Sequence, residues 1–190
     1  MTMTELTLAC RSYRRFTQEA VPEALLALMV ENGRISNSGM NAQPVRYAVV
    51  RDPALVAAMQ PLVHFAAMLP NGAGKPRAGE EPTAFIVICE EGRSAWTDID
   101  IGIAARTMTL TACEGGFGSC MLANVDFPKV KALLALPEAW KPRLVLALGV
   151  PDHASCIVPV GEDGDVRYFI NEDRDYFVPK RSGDEVTLWK

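Results

Sequence analysis

A chain of 190 residues with 49% hydrophobic content can build one good core and gives no sign of a second. Its formal net charge of −4, with 22% charged residues, announces no strongly basic face and argues against nucleic acid as a partner. Five scattered cysteines (Cys10, Cys89, Cys113, Cys120, Cys156) are odd in number and lack C-x-x-C spacing, which disfavours a disulfide framework or zinc site and favours a reducing compartment. His64 and His153 lie far apart and read as surface or structural imidazoles. The first fifteen residues contain no apolar h-region, and no apolar run approaches membrane-spanning length. The expectation is a soluble, cytoplasmic protein.

In chain order, Thr2 or Thr4 can cap a short helix through Leu6, Leu8 and Ala9. The spacing of Leu25, Leu26, Met29 and Val30 predicts a helix over 22–33, with Pro22 in its first turn and Gly33 as a left-handed stop. A polar loop over 36–44 leads to a strand over 46–50, closed by Asp52-Pro53. Residues 54–69 are expected to be helical with a break at Pro61, and 70–82 to form a mobile surface loop. Gly72-Ala73-Gly74-Lys75 is not a phosphate loop, because Pro76 stands where Ser or Thr belongs. The continuous apolar run 84–89 predicts a strand buried on both faces.

The longest predicted helix covers 96–114. Ile99, Ile103, Ala104, Met108, Leu110 and Thr111 suit a core position, Asp98 or Asp100 favours the positive end, and Gly115-Gly116 ends it. A strand over 118–125, a helix capped by Asp126 and stopped by Pro137, and a buried strand over 143–149 complete the alternation. That order predicts a two- or three-layer α/β arrangement in one domain. From Asp152 onward the chain is polar with interspersed aromatics, and such a stretch gains stability by packing across another surface, a second subunit for example.

Hydrolytic chemistry finds no support, since there is no G-x-S-x-G elbow and no histidine placed for a triad. Phosphate-binding potential is present: Arg11, Ser12, Arg14 and Arg15 near the start and Lys180-Arg181 near the end. For any single one of these residues, a solvated charged surface is the commoner explanation.

Six blocks, taken in order, carry a resemblance. They are Arg11-Ser12-Tyr13-Arg14, the loop Ser36-Asn37-Ser38-Gly39-Met40-Asn41-Ala42-Gln43-Pro44, Asp100-Ile101-Gly102, Gly116-Phe117-Gly118-Ser119-Cys120, Leu146-Ala147-Leu148-Gly149-Val150-Pro151 and Val178-Pro179-Lys180-Arg181. Together they resemble the FMN-dependent nitroreductase family over nearly the whole chain. The resemblance implies a nitroreductase-like α/β (α+β) fold, with a central, mainly antiparallel or mixed sheet flanked by helices. It also implies a single domain, 1–190, whose segment 152–190 is an arm exchanged onto the partner of a homodimer.

The family's roles fall on named positions. Arg11, Ser12, Arg14, Lys180 and Arg181 would hold the FMN phosphate. Ser38, Gly39 and Asn41 would reach the flavin from the neighbouring subunit, with Gln43 and Pro44 shaping the turn, so the dimer would be obligate. Met121, Leu122 and Ala123 would lie against the isoalloxazine ring, where a backbone N–H approaches N5. NADH or NADPH would be the electron donor and a nitroaromatic or quinone the acceptor, in a ping-pong cycle run by the flavin without acid/base side chains or a metal. The same resemblance allows dehalogenation, flavin breakdown, or a flavin-binding dimer without reductase activity. Four positions depart from the family pattern: Cys10 replaces an arginine, Asn37 a proline, Val45 a tryptophan, and Ala123 stands where some relatives carry an acid. Cys10 is expected to be a small buried filler rather than an activated thiol.

Overall fold

The computed structural model describes residues 1–190. Thr2 caps α1 (Met3–Ala9) in a reciprocal pair with Glu5, each side chain binding the other's backbone N–H. In α2 (Glu23–Arg34), Pro22 stands at the cap rather than inside the first turn. Gly33 does not end this helix in a left-handed turn as expected. It lies within the last turn, where an added Cβ would come 3.1 Å from the Met108 side chain, so its role is close helix–helix approach.

β1 (Val45–Val50) follows the polar loop. Asp52 then caps α3 (Pro53–Met59) by accepting from the Ala54 and Leu55 N–H groups, with Pro53 at the first helical position. The expected helix over 54–69 does not resume after Pro61. A 3-10 turn over Gln60–Leu62 ends it, and Ala66 adopts a left-handed φ of 48°. The 70–82 segment is irregular but tied down: Arg174 pairs with Glu80 at 2.8 Å, and Gly74 sits so close to Ala66 and Tyr176 that no Cβ would fit.

β2 (Ala84–Glu90) is buried along its whole length. α4 (Thr97–Glu114), β3 (Gly118–Leu122), α5 (Phe127–Leu133) and β4 (Lys141–Gly149) complete the body. The four strands form one sheet in the order β1-β2-β4-β3, antiparallel throughout. Because side chains alternate across a strand, β2 sends Ala84, Ile86 and Ile88 to one face and Phe85, Val87 and Cys89 to the other. The first face meets Leu26 and Met29 of α2 and Ala105, Met108 and Ala112 of α4. The second meets Val56 and Met59 of α3 and Val130 of α5. Each fully buried aliphatic or aromatic side chain here contributes about 1.5–3 kcal/mol, and the result is three layers.

One face of α4 departs from expectation. Ile99 and Ile103, read from sequence as core residues, are exposed together with Trp96. They recur at helical spacing, so they form an apolar stripe without a partner in the monomer.

The tail folds into a second, small sheet. β5 (Ser155–Pro159) pairs in parallel with β7 (Tyr176–Lys180), which pairs antiparallel with β6 (Phe169–Ile170). A four-residue helix, α6 (Gly183–Val186), then leads to an exposed end carrying Leu188 and Trp189.

Candidate active site

The cationic cluster begins where α1 stops. The Cys10 N–H closes that helix on the Leu6 carbonyl, and the chain continues as a strap beside the edge strand β3. Ser12 bridges Ser119 in parallel register, and the Tyr13 N–H donates to the Ser119 carbonyl at 2.9 Å. Gly118 permits this approach, because an added Cβ would stand 2.6 Å from Pro151 and 2.8 Å from the Tyr13 ring. The strap lays Cys10, Arg11 and Ser12 along the groove between α4 and β3. There they meet Arg106 and Thr109 of the helix, Ser119 and Met121 of the strand, and Lys180 at the end of β7, around an open cleft of about 340 Å³.

Three features suit this cleft to an anion. The Nε of Arg11 is buried and has no hydrogen-bond partner within the protein, a state that costs about 1–3 kcal/mol until an acceptor arrives. Arg106 and Lys180 add two further cations, and Ser12 and Thr109 line the same walls with neutral hydroxyl side chains. The Arg106 guanidinium is held in place by donating to the Cys10 sulfur at 3.1 Å, while the Cys10 thiol points to the Thr109 carbonyl at 3.4 Å.

The edge of β3 supplies the rest. The Ser119 carbonyl faces the strap rather than β4, and the two-residue repeat of a strand turns the backbone groups of Met121 to the same outer edge. The Met121 side chain is exposed at the cleft, whereas the Leu122 side chain is buried in the opposite core face and its backbone is turned toward Val145 of β4, so Leu122 does not line the cleft as expected. Ala123 is exposed just past the strand end.

The loop over 36–44 is a separate construction. Asp100, buried in the first turn of α4, accepts from the Ser38 hydroxyl at 2.9 Å and from the Gly39 N–H at 2.8 Å. The Ser38 oxygen in turn accepts from the Gln43 N–H at 2.9 Å. Met40, Asn41 and Gln43 all have positive φ, between 49° and 54°, a strained path that these contacts hold in place. An added Cβ on Gly39 would stand 2.6 Å from Trp96, so only glycine lets the loop lie against that ring. Within one chain, the loop carrying Ser38, Gly39, Asn41 and Gln43 is therefore anchored near the N-terminus of α4, and none of the four lines the Arg106 cleft. Ser38 and Gln43 line a pocket with Asp100 and Arg46.

Of the phosphate contacts expected from sequence, Arg11, Ser12 and Lys180 come together in the cleft. Arg14 does not line it: its guanidinium stacks over the rings of Tyr176 and Tyr168, 4.4 and 4.7 Å from their centroids. Arg181 pairs weakly with Glu185 at 3.7 Å on the surface. Arg106 was not anticipated. The signal for it was its position on the face of α4 that also carries Thr109, which could be read only once that helix was packed against β3.

The chain is thus an α/β/α sandwich with a cationic cleft at an exposed strand edge. Residues 9–150 match the family model described as Nitroreductase family, and the chain belongs to the nitroreductase family, a family of oxidoreductases. It is 28% identical over 169 residues to an NADH dehydrogenase of Thermus thermophilus, covering 74% of this chain and 82% of that protein. It is 25% identical over 168 residues to an iodotyrosine deiodinase of Thermotoga neapolitana, covering 80% of this chain and 90% of that one. Among solved structures, a nitroreductase family protein of Clostridium difficile superposes with a TM-score of 0.66 at 20% identity, covering 80% of this chain and 86% of that chain. A nitroreductase with bound FMN from Bacteroides fragilis does so with a TM-score of 0.63 at 22% identity, covering 80% and 89%. The nitroreductase fold expected from sequence is the one observed. No helix is long and apolar enough to cross a membrane.

Proposed function

We propose that this chain is an FMN-dependent oxidoreductase that works as a homodimer and takes electrons from NADH or NADPH. The observation that carries the reading is the buried, unpaired Arg11 Nε in a cleft shared with Ser12, Arg106 and Lys180, beside the open edge of β3. A phosphate monoester fits that donor set in charge and in hydrogen-bonding sense. When bound, the flavin supplies the redox chemistry, accepting hydride from the nicotinamide and passing it to a nitroaromatic, quinone or similar acceptor in a ping-pong cycle.

The chain's own residues bind and orient. Arg11, Arg106 and Lys180 neutralise the phosphate, and Ser12 donates a neutral hydrogen bond. Met121 and Ala123 present a surface for the ring, and the outward backbone of Met121 offers an uncharged donor that favours a reduced, electron-rich partner. Ser38, Gly39, Asn41 and Gln43 do not line this cleft in their own chain, and in the dimer they act on the partner's cofactor. The exposed stripe Trp96, Ile99 and Ile103 beside that loop is the surface over which the two copies join. Arg14 and Arg181 support the tail rather than the phosphate.

FMN titration followed by flavin fluorescence tests the site, with riboflavin as the phosphate-free control. Arg11→Ala and Lys180→Ala are expected to weaken FMN by roughly 10- to 100-fold each, the scale of a charge-assisted hydrogen bond, and to leave riboflavin nearly unchanged. Equal losses for both ligands, or no loss, would contradict the assignment. The Thermotoga relative favours a second reading, reductive dehalogenation of an iodinated phenol at the same flavin. Release of iodide from iodotyrosine by the reduced protein separates it from the first.

A further inference from the structure

The three cations of the cleft carry no carboxylate partner, since none of the protein's ion pairs includes Arg11, Arg106 or Lys180. Arg106 differs from the other two because its guanidinium is already held. Its Nη1 donates to the Cys10 Sγ at 3.1 Å, and it makes no other side-chain hydrogen bond within the protein, so Nε and Nη2 stay open as donors. The sulfur is itself fixed: Cys10 is 6% exposed, and its thiol donates to the Thr109 carbonyl at 3.4 Å. Thr109 is buried three residues beyond Arg106 on α4, and its hydroxyl donates to the Arg106 carbonyl at 2.9 Å. One thiol therefore ties the strap to the helix and the guanidinium to both.

We propose that Cys10 is a positioning residue, holding Arg106 in advance as a ligand for the phosphate of the bound cofactor. The identity of that cofactor rests on the flavin reading, whereas the aim of the arginine does not. Immobilising a long, rotamer-rich side chain opposes binding, and an anchor that holds it beforehand removes part of that cost. The choice of sulfur matters. A carboxylate at position 10 would also hold the guanidinium, but it would cancel the charge and compete with the phosphate for the same fork. A thiol is a weak, neutral acceptor. It takes one N–H and leaves the charge and the remaining N–H groups for the phosphate.

The three cations reach the cleft from different elements: Arg11 from the strap, Lys180 from the end of β7, and Arg106 from α4, the longest helix of the fold. Groups mounted on rigid elements keep their geometry better than groups on straps and tails. Cys10 couples the cation on the helix to the strap that carries Arg11 and Ser12, so the two walls of the cleft keep one spacing.

Two binding measurements on the whole protein test this. The first is the ratio of the riboflavin and FMN dissociation constants, read by flavin fluorescence. Arg106→Gln should lower that ratio by about tenfold or more, and Cys10→Ala by about three- to tenfold, with riboflavin binding unchanged. Cys10→Ser, which offers an acceptor in the same place, should restore it. In the Arg106→Gln background, Cys10→Ala should cause no further loss. The second measurement uses inorganic phosphate and flavin-free protein. Phosphate should raise the urea midpoint of the wild type and of Cys10→Ser more than that of Cys10→Ala. Wild-type selectivity in Cys10→Ala, a loss equal for both flavins, or a loss of the same size without Arg106 would overturn the proposal. A wild type that binds FMN no better than riboflavin, yet shows the Cys10-dependent phosphate effect, would count against the flavin reading and leave the positioning role in place.

Discussion

At the scale of single residues, the account turns on Asp100 and Gly39. Asp100 is the only group that fixes both Ser38 and Gly39 across to α4, and it does so from a buried position. Asp100→Ala leaves two donors facing a void, and the expected loss is about 1–3 kcal/mol of stability per unsatisfied group, read as a lower midpoint in urea. Asp100→Asn keeps one acceptor and should recover part of it. Gly39→Ala drives a methyl into Trp96, with an expected cost of about 1–3 kcal/mol from overpacking. If the loop serves the partner's site, this substitution also weakens FMN while leaving the Arg11 cleft intact. An alanine at position 39 with unchanged stability would show that the loop does not depend on that close approach.

At the scale of elements, the strap over 10–16 and the tail are joined through His153. Its Nε2 accepts from the Arg14 N–H at 2.9 Å, and its ring packs between Tyr13 and Tyr176. Burial lowers its pKa below the ordinary 6.5; the hydrogen bond with the Ala154 carbonyl opposes this, and the Arg15 and Arg14 charges add to the lowering. The unfolded chain then binds a proton that the folded one refuses. This contribution to stability is therefore complete above pH 6.5 and is lost as pH falls through the folded value. Urea midpoints of the native protein should drop between pH 7.5 and 5.5 by more than those of His153→Gln, and parallel curves would contradict the assignment. Elements were also where the sequence was most legible. The two-sided apolar run of β2, the Asp52 and Asp126 caps and the long α4 all stand where their patterns placed them. What stayed hidden was decided by tertiary contact. Gly33 looked like a helix stop and is a helix–helix contact, Arg14 looked like a phosphate ligand and is stacked on two tyrosines, and Arg106 gave no local signal.

At the scale of the whole molecule, two surfaces call for a partner. One is the stripe on α4, and the other is the chain end, where Val186, Leu188 and Trp189 are 67%, 78% and 86% exposed. Apolar side chains that open to water in a monomer are buried when an arm crosses to a second copy. The protein is expected to sediment as a dimer, and deletion of residues 183–190 should shift it toward monomer and lower FMN occupancy together. A truncated chain that stays dimeric with full flavin would remove the arm from the account. Such a dimer would bring the loop held by Asp100 in one copy to the Arg106 cleft of the other, so that both would serve one cofactor. The most direct measurement of the central claim is an anaerobic absorbance titration of the FMN-loaded protein with NADH and then NADPH. The account predicts loss of the yellow flavin band on addition of the nicotinamide and its return on addition of a quinone or nitroaromatic. A flavin band that persists with both nicotinamides would contradict it, leaving a flavin-binding dimer in place of a reductase.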